Sequence, residues 1–390
     1  MSGWAHLIDA ARPMDSLVCP YCVRPIDPNA LRYKCPVQGD KPCLEEFAGD
    51  GRTAGAECPN GHGLSYLAMC PYADCPNMLP ARYLEAPSRF IGLVGPTNSG
   101  KSTYLAILVR ELKRYAGDGL DFTLIPGDEW TGDRYGERYE PLITKRRLVN
   151  PTQSAERDPG TARPLIYVLT VRQTRPRIRG GGSRARSVNL VIFDSAGEDV
   201  ARFTRMQRYM PYLRYAAGVV FLIDPLTLPD AAADLAHAQA VEAWNHEALT
   251  ERVITNTTDQ LRKAHGIQGD RKKVPVPAAV AVSKVDELRP SLIDSSPLVR
   301  GPARHDGLDA TDRAAVHEYV RGLLHRWNWP HDKYLDNNYD SYGLFGFSAL
   351  GAPVEDNAIA AGGLRPYRVL DPMFWFLSEF GLISQVRDGR

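Results

Sequence analysis

Six short apolar runs recur along the chain after residue 88: Arg89–Val94, Leu165–Val171, Val188–Phe193, Gly218–Ile223, Ala278–Val282 and Leu344–Phe347. Each has the length of a buried strand and is bounded by polar, glycine or proline positions. Stretches with helical spacing separate them. Lys101 to Tyr115 places Tyr104, Leu105, Leu108, Leu112 and Tyr115 on one helical face, and Gly117 reads as its stop. Ala231–Thr250, Asp259–His265 and Ala310–Trp327 read as further helices. Arg368–Ile383 closes the pattern with Val369, Met373, Phe374, Phe376, Leu377 and Phe380. Strands alternating with helices predict an α/β fold with a mainly parallel sheet covered on both faces. Asp118–Ala162 shows only weak periodicity and receives no element. Arg172–Arg186, with Gly180-Gly181-Gly182 at its middle, reads as an exposed hairpin tip.

The front of the chain has a different texture. From about Asp15 to Pro80 it is rich in cysteine, proline and glycine and has no long apolar period. Such a segment cannot bury a core of its own, so a metal would have to hold it. A connector near Ala81–Ser88 joins it to the first strand. The expected organisation is a small Cys/His module over 1–85 and one large domain over 86–390. All cysteines lie in the module: Cys19, Cys22, Cys35, Cys43, Cys58, Cys70 and Cys75. With His62 they make eight ligands, enough for two four-coordinate Zn²⁺ sites. They fall into pairs, Cys19/Cys22, Cys35/Cys43, Cys58/His62 and Cys70/Cys75. An interleaved connectivity would join the first pair to the third and the second to the fourth. A sequential one would join the first to the second, and a single site with leftover thiols is a third arrangement.

Charge adds one constraint. Lysine plus arginine number 47 against 46 acidic residues, so the whole chain predicts no polyanion partner. The start, Met1-Ser2-Gly3-Trp4-Ala5-His6, lacks a basic segment followed by an apolar run, and no stretch has the apolar length of a membrane span. A cytoplasmic location without membrane contact is expected. In that reducing compartment clustered cysteines bind metal more often than they pair.

The chemistry begins directly after the first strand. Gly95-Pro96-Thr97-Asn98-Ser99-Gly100-Lys101-Ser102 is a Walker A loop between a strand and a helix. Its glycines let backbone N–H groups face phosphate oxygens, and the helix start adds partial positive charge. Lys101 would reach the β- and γ-phosphates, Ser102 would hold Mg²⁺, and Asn98, Ser99, Gly100 and Thr103 complete the cradle. After the third run comes Asp194-Ser195-Ala196-Gly197-Glu198: the aspartate suits the Mg²⁺ shell, and the Gly197 N–H suits a γ-phosphate. Ser283-Lys284-Val285-Asp286 follows the fifth run. Its aspartate can accept from guanine N1 and N2, a donor pair adenine lacks, while the lysine stem can lie along base and ribose. Ser348-Ala349 after the last run could meet the guanine O6 through the backbone.

These four segments, in this order, resemble the G1, G3, G4 and G5 boxes of the GTPase superfamily. The resemblance spans roughly Phe90–Leu350 and implies a Ras-like core with a mainly parallel six-stranded sheet, in which Leu165–Val171 and Val188–Phe193 pair antiparallel. It also implies GTP and GDP as ligands, Mg²⁺, and two switch segments responding to the γ-phosphate. The switch I threonine touching Mg²⁺ is expected at Thr152, with Thr161 the second candidate. Two positions depart from the pattern. Ser283 stands where asparagine is usual, which weakens a link to the phosphate loop. Glu198 stands where Ras-like proteins carry a water-orienting glutamine; it can accept from water but cannot donate, so slow intrinsic hydrolysis or an external catalytic group is expected. Arg202, Arg205 and Arg208 follow at helical spacing, as an arginine finger or as a solvated face.

The zinc-ribbon-like module before an Asp-Ser-Ala-Gly-Glu box is similar to the bacterial double-GTPase group, translation-factor-related GTPases of multi-protein conflict and signalling systems. The function so implied is a GTP-hydrolysing regulatory switch with a protein effector or activating partner. Arg172, Arg175, Arg177, Arg179, Arg184 and Arg186 lie in one stretch without an acidic residue. With the zinc module they leave open a nucleic-acid-associated NTPase, and Glu198 leaves open a nucleotide-binding scaffold with negligible turnover.

Overall fold

The computed structural model describes residues 17–37, 43, 45–49, 55–115, 120–174, 183–235, 243–269, 271–302, 307–329, 331–354, 359–360 and 362–386. The Gly180-Gly181-Gly182 tip, Gly117, Arg175, Arg177 and Arg179 lie outside the described residues.

The front module is built from very short strands. β1 (Arg32–Lys34) pairs antiparallel with β2 (Glu46–Ala48) and β5 (Leu67–Met69), while β3 (Ala56–Glu57) pairs with β4 (Leu64–Ser65). Ladders this short do not hold a fold alone. The module instead packs on the large domain. Tyr83 is fully buried and donates to the Val18 carbonyl at 2.7 Å, and Tyr21 donates to Asp128 at 2.8 Å. Asn189 returns hydrogen bonds to the Tyr83 and Ala86 carbonyls, both at 2.8 Å. Val18, Cys19 and Tyr83 share one apolar cluster with Phe90, Ile166 and Val191 of the central sheet.

That sheet begins with β6 (Ser88–Val94), followed by α1 (Lys101–Arg114). β7 (Leu120–Pro126), α2 (Glu129–Arg138) and α3 (Glu140–Thr144) come next, then β8 (Leu165–Thr174) and β9 (Ser183–Asp194). After α4 (Gly197–Val200) and α5 (Phe203–Tyr209) the chain continues through β10 (Ala216–Ile223), α6 (Ala243–Ala264) and β11 (Ala278–Val282). β12 (Gly307–Asp309), α7 (Ala310–Arg326), α8 (Asp332–Asn338), β13 (Tyr342–Gly346), α9 (Asp371–Glu379) and β14 (Ser384–Val386) complete it. The sheet order is β13-β11-β10-β6-β9-β8-β7. Pairs from β13 to β9 are parallel; β9–β8 and β8–β7 are antiparallel. Alternate residues of each central strand enter opposite cores. Ile91 and Leu93 pack with α1 and α9; Phe90 and Val94 pack with α6, α7 and the front module.

Three expectations are corrected. The sheet has seven strands rather than six. The added edge strand β7 buries Leu120, Phe122 and Leu124 and exposes Asp121, Thr123 and Ile125, so it carries no continuous apolar run. The helices expected at Ala231–Thr250 and Asp259–His265 are replaced by a short 3₁₀ turn, Pro229–Asp234, and one long helix, α6. The polar stretch that reads as a break is absorbed because the Thr257 and Thr258 hydroxyls donate back to the Val253 and Ile254 carbonyls at 2.7 and 2.8 Å. The closing helix is shorter than Arg368–Ile383. Arg368 has φ 53° and Gly381 φ 69°, left-handed positions that α-helix cannot include. Among the described residues no helix is long and apolar enough to cross a membrane.

Candidate functional site

The phosphate loop leaves β6 and turns through two left-handed residues, Asn98 (φ 66°) and Gly100 (φ 87°), before α1 starts at Lys101. Lys101 folds back over the loop: its ammonium donates to the Gly95 and Pro96 carbonyls at 2.8 and 2.7 Å. Burial pushes its pKa down to about 8, against the opposing pull of Asp194. Gly197 approaches the loop so closely that a Cβ there would collide with the Thr97 amide and the Pro96 carbonyl carbon. Asn98, Gly100, Lys101, Ser102 and Thr103 line one cavity with Thr152 and Gly197.

Beside it three oxygens converge. The Ser102 hydroxyl lies 2.7 Å from Asp194 Oδ2 and 2.7 Å from the Thr152 hydroxyl, and Thr152 lies 3.0 Å from the same carboxylate oxygen. Adjacent oxygens in an octahedral Mg²⁺ shell stand about 2.9 Å apart, given bonds of about 2.0–2.1 Å. The triangle therefore fits one face of such a shell, and Asp194 Oδ1 is buried with no hydrogen-bond partner. Thr161 is directed elsewhere and donates to the Asp158 carbonyl at 2.8 Å.

Glu198 does not stand free. Its Oε1 accepts from the Ser154 amide at 3.1 Å and lies 3.9 Å from Arg157. Asp199, almost fully buried, accepts from the Ser154 hydroxyl at 2.5 Å and the Ala155 amide at 3.0 Å. α4 thus clasps the segment just after Thr152. Arg205 is neither a solvated arginine nor aimed at the phosphate loop: it lies 2.8 Å from Glu156, 3.7 Å from Asp199 and 3.9 Å from Glu198. Arg202 and Arg208 are exposed.

The loops expected to face a base gather at the ends of β11 and β13. Asp286 is largely buried; desolvation raises its pKa, while a hydrogen bond to Ser348 opposes the rise. Ser348 exchanges backbone hydrogen bonds with Tyr367 at 3.0 and 2.8 Å, and Ala349 beside it is buried. Two further contacts mark these loops. The Ser283 hydroxyl donates to the Ile223 carbonyl at 3.1 Å, in keeping with a weakened link to the phosphate loop. The Lys284 ammonium is held by the Asp224 carboxylate across the β10–β11 edge, so its stem is tethered there.

Sequence reasoning missed two neighbours of this site. The Tyr139 hydroxyl donates to Asp194 Oδ2 at 3.0 Å, and Arg138 donates to the Thr152 hydroxyl at 2.8 Å and the Asn150 carbonyl at 3.0 Å. Both come from the stretch whose periodicity was too weak to place. Ser154 and Asp199 were missed for another reason: nothing local distinguishes them from ordinary turn residues.

The cysteines form two clusters, Cys19/Cys22/Cys70/Cys75 and Cys35/Cys43/Cys58/His62, with ligand atoms in each within 4.8 Å of one another. The connectivity is nested: the first pair joins the fourth, and the second joins the third. Neither the interleaved nor the sequential arrangement is present. The geometric reason is that β1 pairs with β5, which brings the outer knuckles together and leaves the inner pair at the opposite end. S–S separations of 3.9, 3.7 and 3.9 Å and S–N separations of 3.5 and 3.6 Å match a tetrahedral zinc, whose S–S edge is about 3.8 Å. Side-chain donors from Arg24, Asn60 and Asn77 reach Cys22, Cys43 and Cys75 at 3.5 Å, as outer partners of bound thiolates do. These residues could hold two Zn²⁺ ions.

A Walker A loop at the end of a central parallel strand, an aspartate at the end of its neighbour and an antiparallel β8–β9 pair define a P-loop domain of the GTPase class. Residues 89–312, more than half of the chain, match the Double-GTPase 2 family model, and the chain belongs to that family. It is 27% identical over 410 residues to SaeC, a candidate ESX-1 scaffolding and assembly protein of Mycolicibacterium smegmatis, spanning 94% of this chain and 99% of that one. Among solved structures it is similar to the Arl6 BBS3 small GTPase of Trypanosoma brucei with bound GppNp (13% identity, TM-score 0.28, 76% of this chain and 99% of that one). A second is the signal recognition particle receptor SRb-GTP/SRX complex of Chaetomium thermophilum (12%, TM-score 0.29, 68% and 92%).

Proposed function

We propose that this chain is a zinc-stapled GTPase that binds GTP with Mg²⁺, hydrolyses it slowly and changes its contacts with a protein partner according to the nucleotide bound. The observation that carries the reading is the buried Lys101 ammonium beside the Ser102–Thr152–Asp194 oxygen triangle. A buried cation held only by carbonyls and a hydroxyl favours an anionic ligand, and the triangle favours a hard divalent ion. When bound, Mg²⁺ supplies charge neutralisation at the phosphates. Lys101 and the amides of Asn98 to Ser102 hold the phosphate oxygens, Gly197 admits a γ-phosphate beside Thr97, and Asp286 with the Ser348-Ala349 loop reads the base. Arg138, reaching Thr152, is the cation best placed to move toward the phosphates. The division into a 1–85 module and an 86–390 domain assigns zinc to structure and nucleotide to switching. The ESX-1 name of the SaeC relative supports a partner within a bacterial multi-protein assembly.

A second reading, a nucleotide-dependent scaffold with negligible turnover, is favoured by the capture of Glu198 by Ser154. Single-turnover GTP hydrolysis by the wild type, Glu198→Gln, Arg138→Ala and Lys101→Ala decides between them. The switch reading expects measurable wild-type turnover, lost with Lys101→Ala and reduced about tenfold or more with Arg138→Ala. Hydrolysis indistinguishable from Lys101→Ala in the wild type would leave the scaffold.

A further inference from the structure

A cavity of about 550 Å³ opens not at the phosphate loop but at the far end of α1. Small-molecule sites occupy roughly 300–1,000 Å³. Val316, Phe345 and Phe374 supply an apolar wall. Most of the charge around the cavity is already spoken for. Buried Arg368 holds Asp312 at 2.8 Å and Asp371 at 2.7 Å. Asp309 accepts from the first amides of α7 at 2.9 Å, and Glu111 lies 3.7 Å from Arg110. Among the described residues Arg313 has no carboxylate within ion-pair distance, though Glu379 acts on it from farther away. The decisive feature is a set of buried donors that find no hydrogen-bond acceptor among the described residues: Arg110 Nη1, whose Nε faces Glu111, Arg313 Nε, whose Nη2 donates to the Tyr342 carbonyl at 3.4 Å, and the Tyr367 hydroxyl. Leaving such groups unpaired costs about 1–3 kcal/mol each, more for charged ones, unless something accepts from them.

We propose that this cavity is a second ligand site, for a compact organic anion. A flat apolar body lies against Val316, Phe345 and Phe374, and its carboxylate, sulfonate or phosphate accepts from Arg110, Arg313 and Tyr367. Two elements lead from this site to the nucleotide loops. Arg110 sits on the helix that Lys101 begins, roughly 13 Å further along. Tyr367 is bonded through its backbone to Ser348, the partner of Asp286. Through these elements the anion is proposed to change nucleotide affinity, and linkage then requires the nucleotide to change anion affinity by the same factor; this coupling rests on the GTPase reading, whereas the site does not.

The probe is 8-anilinonaphthalene-1-sulfonate, an aromatic sulfonate, titrated by fluorescence into the full-length, zinc-loaded, nucleotide-free protein. Saturation at one probe per chain is expected. Arg313→Gln and Val316→Trp, which fills the cavity, should each weaken binding at least tenfold. Tyr367→Phe removes one hydroxyl and keeps the ring beside Arg368, so it is the variant least able to disturb folding, and a weakening of twofold or more is expected there. Binding that does not saturate, or that is unchanged in Arg313→Gln and Tyr367→Phe with wild-type circular dichroism, overturns the site. In a second arm, fluorescent GDP is titrated with and without saturating probe. An affinity change of twofold or more that disappears in Arg313→Gln supports the coupling, and an unchanged affinity overturns it. If GDP fails to bind at all, the GTPase reading falls while the first arm still decides the cavity.

Discussion

Lys101 is the residue whose proton reports most directly on an incoming polyphosphate. Its pKa stands at about 8 against an ordinary 10.5, because burial disfavours the charged form. Between those values the unfolded chain holds a proton that the nucleotide-free fold lacks, so stability rises with pH across that window; below about 8 the full burial penalty is present. A triphosphate beside the ammonium restores the charge, so binding must take up a proton. Calorimetry of GTP binding at pH 9, in buffers of different ionisation enthalpy, should give an uptake approaching about one proton, absent in Lys101→Met. Gly197 provides a steric counterpart. Gly197→Ala drives a methyl into the Thr97 amide, and a loss of at least about tenfold in GTP affinity, about 1.4 kcal/mol, is expected in fluorescent-nucleotide titration, together with a lowered melting temperature, because the same backbone clash is present without nucleotide. The phosphate loop and Asp194 were legible because strand, loop and helix follow each other in sequence. Tyr139, Arg138 and Asp199 were not, because their meaning lies in contacts 14 to 55 residues away.

At the scale of elements, the start of α4 and the segment after Thr152 are tied together by carboxylates. Asp199 and Glu198 receive the Ser154 hydroxyl and the Ser154 and Ala155 amides. Hydrogen bonds to charged groups contribute about 1.5–3 kcal/mol each. Asp199→Asn should therefore speed hydrogen exchange at Ala155 by roughly ten- to a hundredfold, with no comparable change in β10. Equal exchange in both proteins would remove the clasp. The zinc clusters belong to this scale as well. Their nested pairing follows from β1 meeting β5, a long-range ladder of three residues that no local pattern announces, which is why sequence left the connectivity open. Metal analysis should find two zinc ions per chain. Cys22→Ser and Cys58→Ser should each lower the count toward one, since the substitutions strike different clusters. The central runs were legible as strands because both faces are buried. β7 was not, because one of its faces meets solvent and its polar positions interrupt the run.

On the scale of the whole molecule, the front module and the sheet share a core: Tyr83 joins Val18 on one side to Asn189 on the other. Chelating zinc should therefore lower the melting temperature of the large domain as well as unfold the module, seen in one calorimetric scan with and without chelator. A core transition that ignores chelation would show the two units to be independent. The same architecture places Asp286 and Ser348, the residues proposed to read a nucleotide base, at the ends of β11 and β13. Guanine recognition by Asp286 is the claim on which the reading of this protein as a GTPase turns. It is tested by titrating the wild type and Asp286→Asn with GTP, ATP and XTP. The wild type should prefer GTP, and Asp286→Asn should bind GTP more weakly and gain XTP, since the amide can donate to the xanthine O2 where the carboxylate could only accept. An unchanged order of preference in the two proteins would contradict it.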